Sequence, residues 1–230
     1  MSDDQGPRIR VTKNGPYVVK GRVPIVRETI VVDADGESAE WERGDLCAEK
    51  ESCSLCRCGQ SGRKPFCDGS HMDASFDGTE TASRAPYAEQ AEEIPGPRIS
   101  LNDVRTLCAE ARFCHRAGGA WRSVEHTDDP EIESLVRVQA GQCPSGRYVA
   151  FDTATREPLE PGLEMSIGLI RDPHAGVSGP LWIRGGIQVE SADGTQYERR
   201  NRMTLCRCGR SSNKPFCDGS HIECHFDESH

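Results

Sequence analysis

The chain has little of what builds one large core. Hydrophobic residues make up 35% and aromatic residues 6% of its 230 positions, and its mean hydropathy is −0.63. Such a sequence is expected to form small lobes that need extra support, and metal sites are a usual source of it. No apolar run approaches the ~18 residues of a membrane helix, so no membrane association is expected. The start, MSDDQGPRIR, lacks the apolar stretch of a secretory leader. A reducing, cytoplasmic compartment is therefore expected. Basic residues are outnumbered, 28 against 37 acidic, for a formal net charge of −9. No basic stripe gives the footprint of a nucleic-acid partner. An acidic surface favours solubility and can steer docking to basic patches. No nucleophile–base pair, phosphate loop or paired carboxylate stands out, so a carrier is expected rather than an enzyme.

What is abundant is cysteine, with twelve in the chain. In a reducing compartment clustered cysteines point to metal more than to disulfides. Half of them lie in an internal repeat. Leu55 to His71 reads LCRCGQSGRKPFCDGSH, and Leu205 to His221 reads LCRCGRSSNKPFCDGSH. The offset is 150, and three of seventeen positions differ. Phe76-Asp77 and Phe226-Asp227 keep that offset. Upstream, the segment from Gly15 to Gly21 echoes Gly179 to Gly185 at an offset of 164. The first copy thus holds about fourteen extra residues, placed in the polar stretch Asp33–Cys53 with Cys47 and Cys53. In the second copy the alternation of Leu181, Ile183, Ile187 and Val189 predicts an extended segment. Asp193-Gly194 predicts a hairpin turn, and Tyr197 to Leu205 a returning strand that leads into the cysteine loop. A short helical turn is predicted from Asp218. Two such units are expected to pack about a pseudo-twofold axis, as an internal dimer within a monomer.

Each repeat carries the same donor set: Cys56, Cys58, Cys67 and His71, then Cys206, Cys208, Cys217 and His221. Residues two apart on an extended backbone point the same way, so each Cys-x-Cys pair can hold one iron. Residues four apart share a helical face, so Cys67 with His71, and Cys217 with His221, can grip a second. Lys64-Pro65-Phe66 sets the approach, because proline restricts itself and the residue before it. Asp68, Gly69 and Ser70 suit a helix start. A [2Fe–2S] core on three thiolates and a neutral imidazole carries roughly −1 when oxidised. Arg57, Lys64, Arg207 and Lys214 stand in sequence where they could offset it, or they are ordinary solvated side chains. Cys₃His is also a valid zinc set, although Cys-x-Cys is an uncommon spacing for zinc.

The string CRCG…KPFCDGSH resembles the CDGSH iron–sulfur family, which includes mitoNEET. The resemblance implies a [2Fe–2S] cluster at each set. It implies that Cys56/Cys58 and Cys206/Cys208 hold an inner iron, and Cys67/His71 and Cys217/His221 an outer, more exposed one. The chain resembles members with two motifs in one monomer. It departs from the membrane-anchored members in having no transmembrane helix. It departs from the small tandem members in the long stretch between its motifs.

That stretch has its own character. Ser100-Leu101-Asn102-Asp103 predicts a capped helix start, with Leu101, Val104, Leu107 or Cys108, and Ala111 on one face. Asp129-Pro130-Glu131 predicts a second helix, with Ile132, Leu135 and Val136 as its apolar face and Gly141 at its end. A strand is predicted over Tyr148–Phe151. Cys108, Cys114 and the turn Cys143-Pro144-Ser145-Gly146 resemble the divergent single-cluster ferredoxin-like family. The resemblance implies a third cluster, [3Fe–4S] on Cys108, Cys114 and Cys143, or [4Fe–4S] with a fourth ligand from His115, Cys47, Cys53 or a free site. The competing reading is spare or buried thiols. Cys224, His126, His174, His225 and His230 read as bystanders.

The expected fold is α+β. Two small β-rich cluster lobes, residues 1–82 and 163–230, flank a ferredoxin-like segment, 96–155. The expected function is electron transfer with a redox partner protein. The alternatives are cluster storage or donation to an apo-acceptor, and a structural zinc module.

Overall fold

The computed structural model describes residues 6–228. Met1–Gln5, part of the leader reading, and His230 lie outside them. The chain is mostly β, with ten strands and one helix longer than a single turn among the described residues. The first repeat contributes β1 (Arg8–Val11) and a long hairpin of β2 (Tyr17–Val32) and β3 (Ser38–Leu55). The extra residues of this copy lengthen both arms of that hairpin. Its tip is closed by Asp33, whose backbone N–H donates to the Glu37 carbonyl at 2.9 Å. A one-turn helix, α1 (Ser70–Asp73), follows the cysteine loop.

A polar linker carries α2 (Tyr87–Gln90) into the middle segment. There β4 (Glu92–Ile94), β5 (Ile99–Asp103) and β6 (Tyr148–Asp152) form an antiparallel three-stranded sheet. Between β5 and β6 come α3 (Ala120–Ser123) and α4 (Pro130–Gln142). The second repeat supplies β7 (Ser166–Asp172), β8 (Val177–Arg184), β9 (Gln188–Glu190), β10 (Arg202–Leu205) and the one-turn α5 (Ser220–Glu223).

The α4 start is as the sequence predicts. Asp129 caps it by accepting the Glu131 N–H at 2.8 Å, a contact that contributes about 1 kcal/mol. The helix runs one residue beyond Gly141. The strand predicted over Tyr148–Phe151 is β6. The helix predicted from Ser100 is instead β5 followed by a single 3-10 turn at Arg105–Leu107. Ile99, Ser100, Leu101 and Asp103 are buried, and β5 finds β6 along its full length. Tertiary pairing overrides the cap-like string.

The flanking repeats do not form separate lobes. Their strands enter one sheet in the order β10-β8-β7-β2-β1-β9, with β3 along the other edge of β2. β2 joins the repeats by parallel pairing with β7, from Ile25↔Ile167 to Thr29↔Arg171. A second parallel junction ties β1 to β9. One core serves both repeats: Ile9, Tyr17, Val19 and Leu55 pack with Ile167, Leu181, Ile183 and Leu205. β8 lies between β7 and β10 and is buried throughout, which suits its apolar run. The returning strand of the second repeat is shorter than predicted. Only Arg202–Leu205 pairs with β8, while the turn at Asp193-Gly194 closes a small loop whose first arm, β9, is captured by β1.

Candidate metal centres

In both repeats the cysteine loop doubles back onto its strand. Leu55 faces Phe66 and Leu205 faces Phe216 in antiparallel bridges. The Cys56 N–H donates to Pro65 O at 2.8 Å and the Cys67 N–H to Ser54 O at 2.9 Å. Cys206 and Cys217 repeat this on Pro215 and Thr204 at 2.9 and 3.0 Å. Leu55 is fully buried in the core and Phe66 packs against it. Alternation then turns Cys56 and Cys67 to the opposite face together. The peptide bonds Lys64–Pro65 and Lys214–Pro215 are cis.

Each donor set divides into two pairs. Cys56 and Cys58 Sγ lie 3.7 Å apart, and Cys206 and Cys208 Sγ 3.6 Å. Cys67 Sγ is 3.4 Å from His71 Nδ1, and Cys217 Sγ 3.5 Å from His221 Nδ1. A tetrahedral metal with bonds of about 2.3 Å to sulfur and 2.05 Å to nitrogen separates two sulfurs by about 3.8 Å, and sulfur from nitrogen by about 3.6 Å. All four pairs sit within 0.2 Å of that spacing. Among the described residues no three His, Cys, Asp or Glu side chains converge on a single ion. Each pair is spaced as two donors on one metal are.

The thiols ionise unequally. Within each Cys-x-Cys pair the hydrogen bond holds the first thiol down, to about 6 at Cys56 and Cys206, and pushes the second up. Burial pushes Cys217 well up. Burial, followed by the Arg207 charge, lowers His221 to about 4, so its imidazole stays neutral and able to ligate.

The two motif arginines are not solvated, as their ordinary reading would have it. Arg57 is 1% exposed and donates to the carbonyls of Thr12 and Gly78. It lies over the rings of Tyr17 and Phe76. Arg207 donates to Gly179 O and Ile170 O, pairs with Glu228 and lies over Phe226. Phe76 and Phe226 therefore belong to the sites. Their only sequence signal was the Phe-Asp pair kept at the 150 offset. Lys214 Nζ donates to Ser211 O. Asp68 accepts from Ser70 N and Gly62 N, and Asp218 from Ser220 N and Ser212 N, closing each loop. Partial burial pushes the Asp218 carboxyl up, yet the Ser220 and Ser212 hydrogen bonds prevail and hold it at about 2.

The two sets meet through their inner ends. A Cβ on Gly59 would lie 2.5 Å from Cys208 O, and one on Gly209 2.5 Å from Cys58 O. Both glycines have positive φ, 78° and 80°. Tyr17 Oη donates across to Cys206 O at 2.7 Å and Pro215 O at 3.1 Å.

Their outer ends differ. Cys217 is 2% and His221 4% exposed, whereas Cys67 and His71 are half-buried and Met72 is 73% exposed. Clefts of about 580 and 550 Å³ open beside Cys58 and beside His71. The middle segment covers the second set. A Cβ on Gly219 would meet Glu110 Cγ at 2.6 Å. Arg112, held by Asp172 at 2.6 Å, and Glu110 both act on the charge of His221.

Cys108, Cys114 and Cys143 line one cavity with Glu110, Phe113 and Arg147. Burial raises Cys108 to about 11 and Cys114 to about 12. Arg147 supplies a cation beside them and is clamped by Asp103 at 2.7 and 2.9 Å. His115, Cys47 and Cys53 do not line this cavity. His115 packs edge-on against Trp121, while Cys47 and Cys53 pack along β3 against the main core. Cys224, His126, His174 and His225 are exposed. No described helix is long and apolar enough to cross a membrane.

Residues 14–72 and 178–222 match the family of the iron-binding zinc finger of CDGSH type, and residues 94–152 match the divergent 4Fe–4S mono-cluster family. Comparison with curated proteins and with solved structures yields no match.

Proposed function

We propose that this chain, which carries two CDGSH-type iron-binding segments flanking a divergent 4Fe–4S mono-cluster segment, is a one-electron carrier and not an enzyme. The observation that carries this reading is the division of each Cys₃His set into two pairs at single-metal spacing. Cys56/Cys58 and Cys206/Cys208 would hold the inner iron of a [2Fe–2S] cluster, and Cys67/His71 and Cys217/His221 the outer one. Such a cluster, once bound, supplies reversible one-electron chemistry. The protein's part is to hold and tune it. A neutral imidazole in place of a thiolate raises the potential, and buried Arg57 and Arg207 favour the added negative charge. Cys108, Cys114 and Cys143 would hold a third cluster, with Arg147 beside it. The reciprocal approach of Gly59 and Gly209 supports a pseudo-twofold relation of the two sets within a monomer. The partner is a redox protein, and the compartment is cytoplasmic.

A second reading, cluster donation to an apo-acceptor, is favoured by the accessibility of Cys67 and His71. The test is anaerobic purification with iron, sulfide and zinc counted and an EPR spectrum of the reduced protein. Electron transfer requires reversible reduction without metal loss. Donation requires movement of iron and sulfide to an apo-ferredoxin. A colourless zinc-loaded protein would end both.

A further inference from the structure

The geometry points to a fixed series of the three thiol sites: the middle cavity, then the second repeat's set, then the first repeat's set, with the second set enclosed as an internal step and the first set's outer pair as an open terminus. This rests on the reading of the sets as cluster sites.

Two contacts define the order. At one junction, a Cβ on Gly219 would lie 2.6 Å from Glu110 Cγ and 3.6 Å from the carbonyl of Cys108, which lines the middle cavity. The loop from Cys108 to Phe113 passes over the Cys217/His221 pair. It is pinned there by the Arg112–Asp172 ion pair, whose carboxylate is 2% exposed. The cysteine loop of the second repeat is tied to the rest of the chain elsewhere. Asn213 Nδ2 donates to Thr106 O at 2.8 Å, and the Thr81 and Ala82 N–H groups donate to Lys214 O at 2.8 and 2.9 Å. At the other junction, the Gly59 and Gly209 backbones place Cys58 and Cys208 back to back.

Among the described residues the first set has no such cover. Its outer pair is half-buried, exposed Met72 stands next to His71, and a cleft opens beside His71. The two sets have nearly the same sequence, but the second has Glu110 of the middle segment against its motif glycine, Gly219. A docking protein reaches the first set directly and the second only through its neighbours.

The test uses the full cluster-loaded chain. His71→Cys and His221→Cys assign the two [2Fe–2S] EPR signals, since each shifts one of them. A water-soluble iron chelator is then added to the reduced wild type, and each signal is followed. The first-set signal is expected to vanish faster by about tenfold or more, the factor that about 1.4 kcal/mol of loop opening supplies. In Arg112→Ala/Asp172→Asn, which releases the loop without leaving an unpaired buried carboxylate, the second rate should rise toward the first. Dipolar broadening gives an independent check: Cys108→Ser/Cys143→Ser should narrow the second-set signal and leave the first unchanged. Equal loss rates in the wild type, or equal narrowing of both signals, would overturn the series while leaving the cluster assignment intact. Absence of both [2Fe–2S] signals would overturn the assignment itself.

Discussion

Arg57→Met removes a buried guanidinium at nearly constant volume. Two charge-assisted hydrogen bonds are lost, to Thr12 O at 3.1 Å and to Gly78 O. Each contributes about 1.5–3 kcal/mol, and both carbonyls are left without this donor. The cation also leaves the Tyr17 and Phe76 rings, at 5.6 and 5.5 Å from its centre. Apolar burial of the methionine offsets part of this, for a net loss of about 3 kcal/mol. For a chain of this size that lowers the thermal midpoint by about 6–12 °C. The assay is thermal unfolding of the cluster-loaded protein by circular dichroism. Arg57→Lys keeps the charge but not the planar fork and should fall between. A shift under about 2 °C for Arg57→Met would refute the claim that this residue ties the cysteine loop to the sheet.

Other expectations follow from the same contacts. Gly209→Ala drives a Cβ to 2.5 Å from Cys58 O at a φ of 80°, and should cost cluster occupancy at both sets when iron per chain is measured. Cys108→Ser/Cys143→Ser should remove a separate iron fraction and leave the [2Fe–2S] absorbance intact; unchanged iron would favour the spare-thiol reading. On acidification the second set should outlast the first. His221 is depressed to about 4 by burial and then by Arg207, so its contribution is complete above the free imidazole value of about 6.5 and is lost as pH falls through about 4. Decay of visible absorbance in His71→Cys and His221→Cys at several pH values checks this. Loss of both clusters at one pH in the wild type would contradict it. The same two variants should shift the potential of one cluster each downward in a redox titration.

The donor sets were legible because a ligand set is a local pattern, and its repetition at one offset fixes the residues without any knowledge of the fold. The α4 start was legible for the same reason, since Asp129 caps a helix that begins at the next residue. Ser100–Asp103 offered an equally local cue and misled, because Ile99 and Leu101 pair with Asp152 and Ala150, about fifty residues later. The merged sheet was hidden at longer range still. The pairing of β2 with β7 joins residues some 140 positions apart and leaves no mark on either strand. Burial of Arg57 was also hidden. An arginine between two cysteines reads as a surface cation until Tyr17 and Phe76 are seen to bracket it. Sequence placed the sets in separate lobes; the covering of His221 depends on a loop that no repeat predicts.

The central claim is that each Cys₃His set holds two irons. It is tested most directly by counting metal and acid-labile sulfide in anaerobically purified Cys108→Ser/Cys143→Ser protein, where the middle site cannot contribute. The expected result is two irons and two sulfides per set, no zinc, and an EPR signal that appears on one-electron reduction. One zinc per set with no sulfide would contradict it.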